Sequence, residues 1–126
     1  MSRKTSTKDR QNQGGFAMLH VKTKNLGTIS LLNLEGKVVV GETEVLHGTV
    51  QNLPPASLLI LDLSQVTLMD AHGLGVMLQL REQAQARGMH FEFANVSESL
   101  RQLLRITRLD TVFRTNPRAE AFPVAA

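Results

Sequence analysis

The chain has 126 residues, enough for one domain with its own apolar core. It contains no cysteine, which excludes a disulfide framework and a thiolate metal site, and no tryptophan or tyrosine, which leaves few platforms on which nucleic-acid bases could stack. The net charge of +3 belongs mostly to a leader: Arg3, Lys4, Lys8, Arg10, Lys22 and Lys24 stand against Asp9 alone, and from Asn25 onward acids slightly outnumber bases. No apolar run approaches the roughly 20 residues that span a bilayer, and the basic N-terminus lacks the apolar region of a signal peptide. A cytoplasmic protein without a transmembrane segment is therefore expected.

Residues 1–15 carry no large apolar side chain after Met1, so they are expected to be a disordered basic tail, with residues 16–126 forming a single domain. Met18 is an alternative start. Met18–Lys24 and Gly27–Leu34 alternate apolar and polar residues around Asn25-Leu26-Gly27, which predicts an antiparallel hairpin. Gly36–Gly41 either prolongs the second strand or forms an apolar loop. Val45, Leu46, Val50 and Leu53 predict a helix over Glu42–Leu53, with acids at its start and Pro54-Pro55 as its stop.

The short apolar run that follows, within Ser57–Leu63, reads as a central strand buried on both faces. Ser64–Met69 reads as a loop. A second helix is expected from Ala71 or His72 to Arg87, stopped by Gly88. Its stripe Gly73, Val76, Met77, Leu80 and Ala84 predicts the core face, with Ala71, Leu74, Gly75, Leu78 and Glu82 on a neighbouring face. Met89–Ala94 alternates as a strand. Asn95-Val96-Ser97-Glu98 reads as a capping box opening a third helix that runs to about Thr107. Val112-Phe113 is expected as a last short strand, and Asn116-Pro117 as the start of a helical stub to Phe122. The order β-β-α-β-α-β-α-β predicts an α/β fold with a mixed, mainly parallel sheet of four to five strands and helices mainly on one face.

The stretch Leu58–Leu78, LLILDLSQVTLMDAHGLGVML, resembles the signature of STAS domains, the family of anti-sigma factor antagonists. That signature is an apolar strand, an Asp, a short loop and then Asp-Ser-Ser-Gly-Leu-Gly. The resemblance runs from about Gly27 to Phe113 and implies a STAS-like fold of the order just given. The chain keeps Asp70, Gly73, Leu74 and Gly75 but has Ala71 where the family's phosphorylated serine stands and His72 in place of the second serine. The resemblance implies a partner-binding surface of Asp70, Ala71, His72, Gly73, Leu74, Gly75 and Leu78. It implies an anti-sigma factor of the serine-kinase type as partner, and Ala71 as an equivalent of the phosphosite that cannot be phosphorylated. Ser64 and Thr67 are the hydroxyls nearest in the chain.

Other chemistry finds little support. Asp62, Ser64, Thr67, Asp70 and His72 are the only concentration of groups from which a nucleophile and base could be drawn, and no G-x-S-x-G elbow accompanies them. His20, His47, His72 and His90 stand singly, so neither a metal nor another cofactor is expected. Gly73-x-Gly75 lacks the third glycine and the Lys of a phosphate loop, and reads as close packing of helix on sheet. Asp62 has the position of a receiver aspartate without its acidic pair or lysine, and is expected to bond loop amides instead. Leu78 is either core or part of an apolar ridge for a partner, which Val38–Val40 would extend. Arg101, Arg105 and Arg108 share one side of the third helix. A second reading makes the chain a structural subunit of a larger assembly, beside a transporter ATPase such as a lipid-transport system or among other STAS subunits. A third, nucleic-acid binding through the basic tail, requires strongly salt-dependent affinity; no sequence-specific contact is expected.

Overall fold

The structure, a computed structural model, describes residues 19–116. The expected disordered tail 1–15, the alternative start at Met18 and the helical stub from Pro117 to Phe122 lie outside these residues. Strands β1 (Leu19–Leu26) and β2 (Ile29–Val38) form the antiparallel hairpin. Its two-residue turn is Gly27-Thr28, with Gly27 at a φ of 71° that suits a residue without a Cβ. There follow α1 (Glu44–Gln51), β3 (Leu58–Met69), α2 (Ala71–Ala86), β4 (His90–Ala94), α3 (Glu98–Ile106) and β5 (Arg114–Asn116). The five strands lie in the order β1-β2-β3-β4-β5, and every pair after the hairpin is parallel.

Each helix therefore links two neighbouring parallel strands. Right-handed crossovers between successive neighbours put all three helices on the same face. Packing agrees: Leu46 and Val50 of α1, Val76, Met77 and Leu80 of α2, and Leu100 and Leu104 of α3 join one cluster with Leu32, Leu34, Leu59, Leu61, Phe91 and Phe93. Within it Phe93 stacks on Phe113 with ring centroids 4.6 Å apart, and Phe91 meets Phe93 edge-on. The alternate residues Leu31, Ile60 and Ala94 make a second, smaller cluster on the opposite face, so β3 is apolar on both sides, as its sequence implied.

Several boundaries differ from expectation, and so does the burial of one residue. Ser64–Met69 is strand, because β2 continues as strand to Val38 and supplies a parallel partner through the pair Val38–Met69. α1 starts at Glu44 because Thr43, not Glu42, occupies the cap position. The cap of α3 is Ser97, whose hydroxyl accepts the Leu100 amide at 3.2 Å. Asn95 is instead a turn residue with φ 58° and gives its side-chain NH2 to Asp62. The last strand is Arg114–Asn116, because those residues pair with Glu92–Ala94, while Phe113 before it drops into the core. Leu74, expected on the face neighbouring the core stripe, is buried in the core.

The end of α2 is fixed as its sequence implied. Gly88, at φ 76°, follows the cap residue Arg87. The Arg87 guanidinium donates to the carbonyls of Val50 and Leu53 at 2.7 and 2.6 Å, tying the end of α2 to the end of α1 and the residues just after it. No helix among the described residues is long and apolar enough to cross a membrane.

Candidate functional site

The site lies where β3 ends and α2 begins, at the carboxyl end of the parallel strands, where the crevice of an open α/β sheet usually forms. Asp70 caps α2: its Oδ1 accepts the Gly73 amide at 2.8 Å. Its Oδ2 accepts the amide of Val40, from the loop after β2, at 3.4 Å, and its own amide donates to the Val38 carbonyl at 3.4 Å. One carboxylate thus joins the helix start to a loop thirty residues earlier. His72 makes a second link, with Nε2 3.3 Å from the hydroxyl of Thr43. Thr43 is buried and makes no capping bond to its own helix, so its hydroxyl is available for this contact.

The two glycines of the motif differ in kind. A Cβ on Gly73 would fall on the carbonyl oxygen of Val38 and crowd the Met69 side chain at 3.0 Å. A Cβ on Gly75 would meet nothing within 4 Å. The expected close packing of helix on sheet therefore explains Gly73 and not Gly75.

The seven residues of the expected partner surface separate by direction. Ala71 and His72 are exposed, Asp70, Gly75 and Leu78 are half-buried, and Gly73 and Leu74 are buried. Leu78 packs its inner side against the main core. Sequence reasoning missed Thr43, which lies 29 residues from His72 and on another element. Ser64 and Thr67 lie before the motif, and Thr67 gives its hydroxyl to the Gly36 carbonyl at 3.3 Å. Asp62 accepts the Ser64 amide at 2.9 Å, the local role its sequence context suggested. Arg105 pairs with Glu98 at 3.5 Å on an exposed surface, an arrangement that contributes little. Among the described residues no three His, Asp or Glu side chains gather closely enough to hold a metal ion.

The Asp70 carboxyl titrates below its ordinary 3.8, chiefly because the Gly73 amide bonds its charged form; partial burial opposes this, and the Val40 amide and His72 reinforce it. A carboxyl lowered on folding contributes stability that is present above the ordinary value. That contribution is lost as pH falls from 3.8 through the lower folded value. Thermal unfolding of the parent and Asp70→Asn, measured from neutral pH into this acid range, should converge as the acid removes the advantage of the charge. Curves that stay parallel would show that the charge contributes nothing to the cap.

The chain belongs to the STAS domain family, which matches it over residues 11–121. Its fold is similar to that of a sulfate transporter family protein from Wolinella succinogenes, at TM-score 0.66 and 19% identity over 73% of this chain and 79% of that one. An anti-sigma factor antagonist from Mycobacterium paratuberculosis is similar at TM-score 0.64 and 20% identity, over 79% of this chain and 86% of that one. The Bacillus cell fate determinant SpoIIAA, in its phosphorylated form, is similar at TM-score 0.62 and 14% identity, over 85% of this chain and all of that one. At these identities the likeness establishes the fold.

Proposed function

We propose that this chain is a non-catalytic protein-interaction module of the anti-sigma factor antagonist kind. Its partner surface centres on the start of α2 and the loop between β2 and α1. The observation that carries the reading is where apolar surface remains exposed. Of the four large apolar side chains exposed among the described residues, Val40 and Val45 flank the motif. The Val40 amide is bonded to Asp70, and Val45 follows Thr43, the partner of His72, by two residues. Ala71, His72, Val40 and Val45 then form the contact surface, with Gly75 and the outer side of Leu78 along the flank of the helix. Asp70 holds this surface in place, and Gly73 and Leu74 support it from beneath. A small residue at Gly75, required by nothing inside the domain, lets a partner approach the backbone closely.

By family resemblance the partner is an anti-sigma factor of the serine-kinase type, and the setting is the cytoplasm. Val40→Glu combined with Val45→Glu is expected to weaken that partner's binding by at least about thirtyfold, the usual cost of losing interface anchors. Both side chains are exposed, so the unfolding midpoint should hardly move. Titration calorimetry with the partner copurified from native cells makes the test, and unchanged affinity in the double variant removes this surface from the interface.

Ala71 favours a second reading, a structural subunit of a larger assembly such as a transporter ATPase, because a subunit needs no phosphorylatable oxygen there. The copurified ATPase separates the two: a kinase-type fold supports the first reading and a transporter ATPase the second.

A further inference from the structure

Of the large apolar side chains exposed among the described residues, Leu68 and Ile106 have no place in the Asp70 surface. Leu68, 51% exposed, lines a groove of about 270 Å³ between β3 and α3, together with Val66, Ser97, Ser99 and Leu103. Ile106, 77% exposed, stands one turn beyond Leu103 and projects from α3 beside that groove. A knob and a hollow therefore share one face of the molecule.

The outer strip of α3 is arranged on either side of the exposed Gln102. At about 100° per residue, Glu98 and Arg105 fall on one flank of it, and Ser99 and Ile106 on the other, the side of the groove. Glu98 and Arg105 are 7 residues apart, two turns, with the acid at the start of the helix and the base near its end. Within one chain their charges meet at 3.5 Å, and both side chains remain more than half exposed.

We infer that this face of α3 is a self-association surface that takes a second copy of the chain about a two-fold axis. Such a contact needs a surface complementary to itself. An axis crossing α3 between Arg101 and Gln102 runs the two helices antiparallel. It sets Glu98 of each copy against Arg105 of the other, because the two residues stand equally far from the axis on the same flank. The same register brings Ile106 of each copy level with Ser97 of the other, where the groove opens. The charges and the knob are separate features, and one axis satisfies both.

The pair then covers Leu68 and Ile106, and opposite charges meet along its rim, where they set register more than affinity. Arg101 points about 100° around the helix from Gln102 and so lies off the seam. A helix of 9 residues is only about 14 Å long, which makes the contact small and the dimer weak and concentration-dependent. The inference goes beyond the proposed function and stands whatever the identity of that partner, since none of Val40, Val45, Ala71 and His72 lines the groove.

The test follows the full chain at rising concentration, by sedimentation and by amide shifts of isotopically labelled protein. Self-association is expected, with saturable shifts at Leu68, Ser99, Gln102 and Ile106 and none at Ala71 or His72; this map needs no variant to fold. Ile106→Glu should weaken association at least about tenfold. Glu98→Arg and Arg105→Glu each set like charges across the axis and should each weaken it too. An equimolar mixture of those two variants should associate again, and so should the double variant, because both restore opposite charges between the copies. Only an antiparallel two-fold pair gives that pattern. A chain still monomeric at millimolar concentration, a mixture no more associated than its components, or self-association with shifts at Val40 and Val45 or along β1 would overturn the inference.

Discussion

Gly73→Ala is expected to destabilise the domain by about 3 kcal/mol, at the upper end of the cost of overpacking. The new methyl would occupy the position of the Val38 carbonyl oxygen, a backbone atom that also accepts the Asp70 amide. The helix can escape only by lifting away from β2 and loosening both bonds of the Asp70 carboxylate. Gly75→Ala, two residues on, is the contrasting control. Its methyl enters open space, and alanine gains up to about 1 kcal/mol of helix propensity over glycine. Urea unfolding of the two variants should therefore move in opposite directions from the parent. If Gly73→Ala unfolds at the parent's midpoint, the contact between the start of α2 and Val38 is not the constraint described.

The second large effect is chemical and all-or-none. Alanine has no oxygen to accept a phosphoryl group, so on the proposed function a kinase partner cannot release this domain by modifying residue 71. Ala71→Ser should supply the missing acceptor at an exposed position on the first turn of α2. Incubated with the partner and ATP, the variant is expected to gain one phosphate by intact mass and the parent none. The phosphate would add close to two negative charges beside the Asp70 carboxylate and weaken the complex by repulsion and desolvation. Stoichiometric phosphate on the parent at Ser64, Thr67 or Thr43 would overturn the unswitched reading. An unmodified Ser variant with an active, bound kinase would move the assignment to the assembly subunit.

Much of this architecture could be read from local pattern. The stripe Val76, Met77, Leu80 and Ala84 is buried as its spacing implied, because a long helix repeats its signal over four turns. The two-sided apolar run Leu59–Leu61 is central for a similar reason. Ser64–Met69 misled because a strand's length depends on its partner: β2 prolongs it, and nothing within SQVTLM announces that. Asn95 and Ser97 are both good caps two residues apart, and geometry decided between them. At the site, Asp70 and Gly73 were visible because their partners lie close in the chain or in a known signature. Thr43 was not, since a contact across 29 residues leaves no periodic trace.

The ties that join Val40 to Asp70 and Thr43 to His72 also have a consequence in time. A surface made of two chain segments normally has to be assembled before it can be recognised, and that ordering slows association or lengthens its approach to equilibrium. Here the segments are already joined through side chains and a shared carbonyl. A partner should meet a prepared target, with observed association rates rising linearly with its concentration and no plateau from a preceding rearrangement. Cutting the Thr43 link alone would leave the contacting residues unchanged yet make a fraction of encounters unproductive, so its effect would fall on the on-rate.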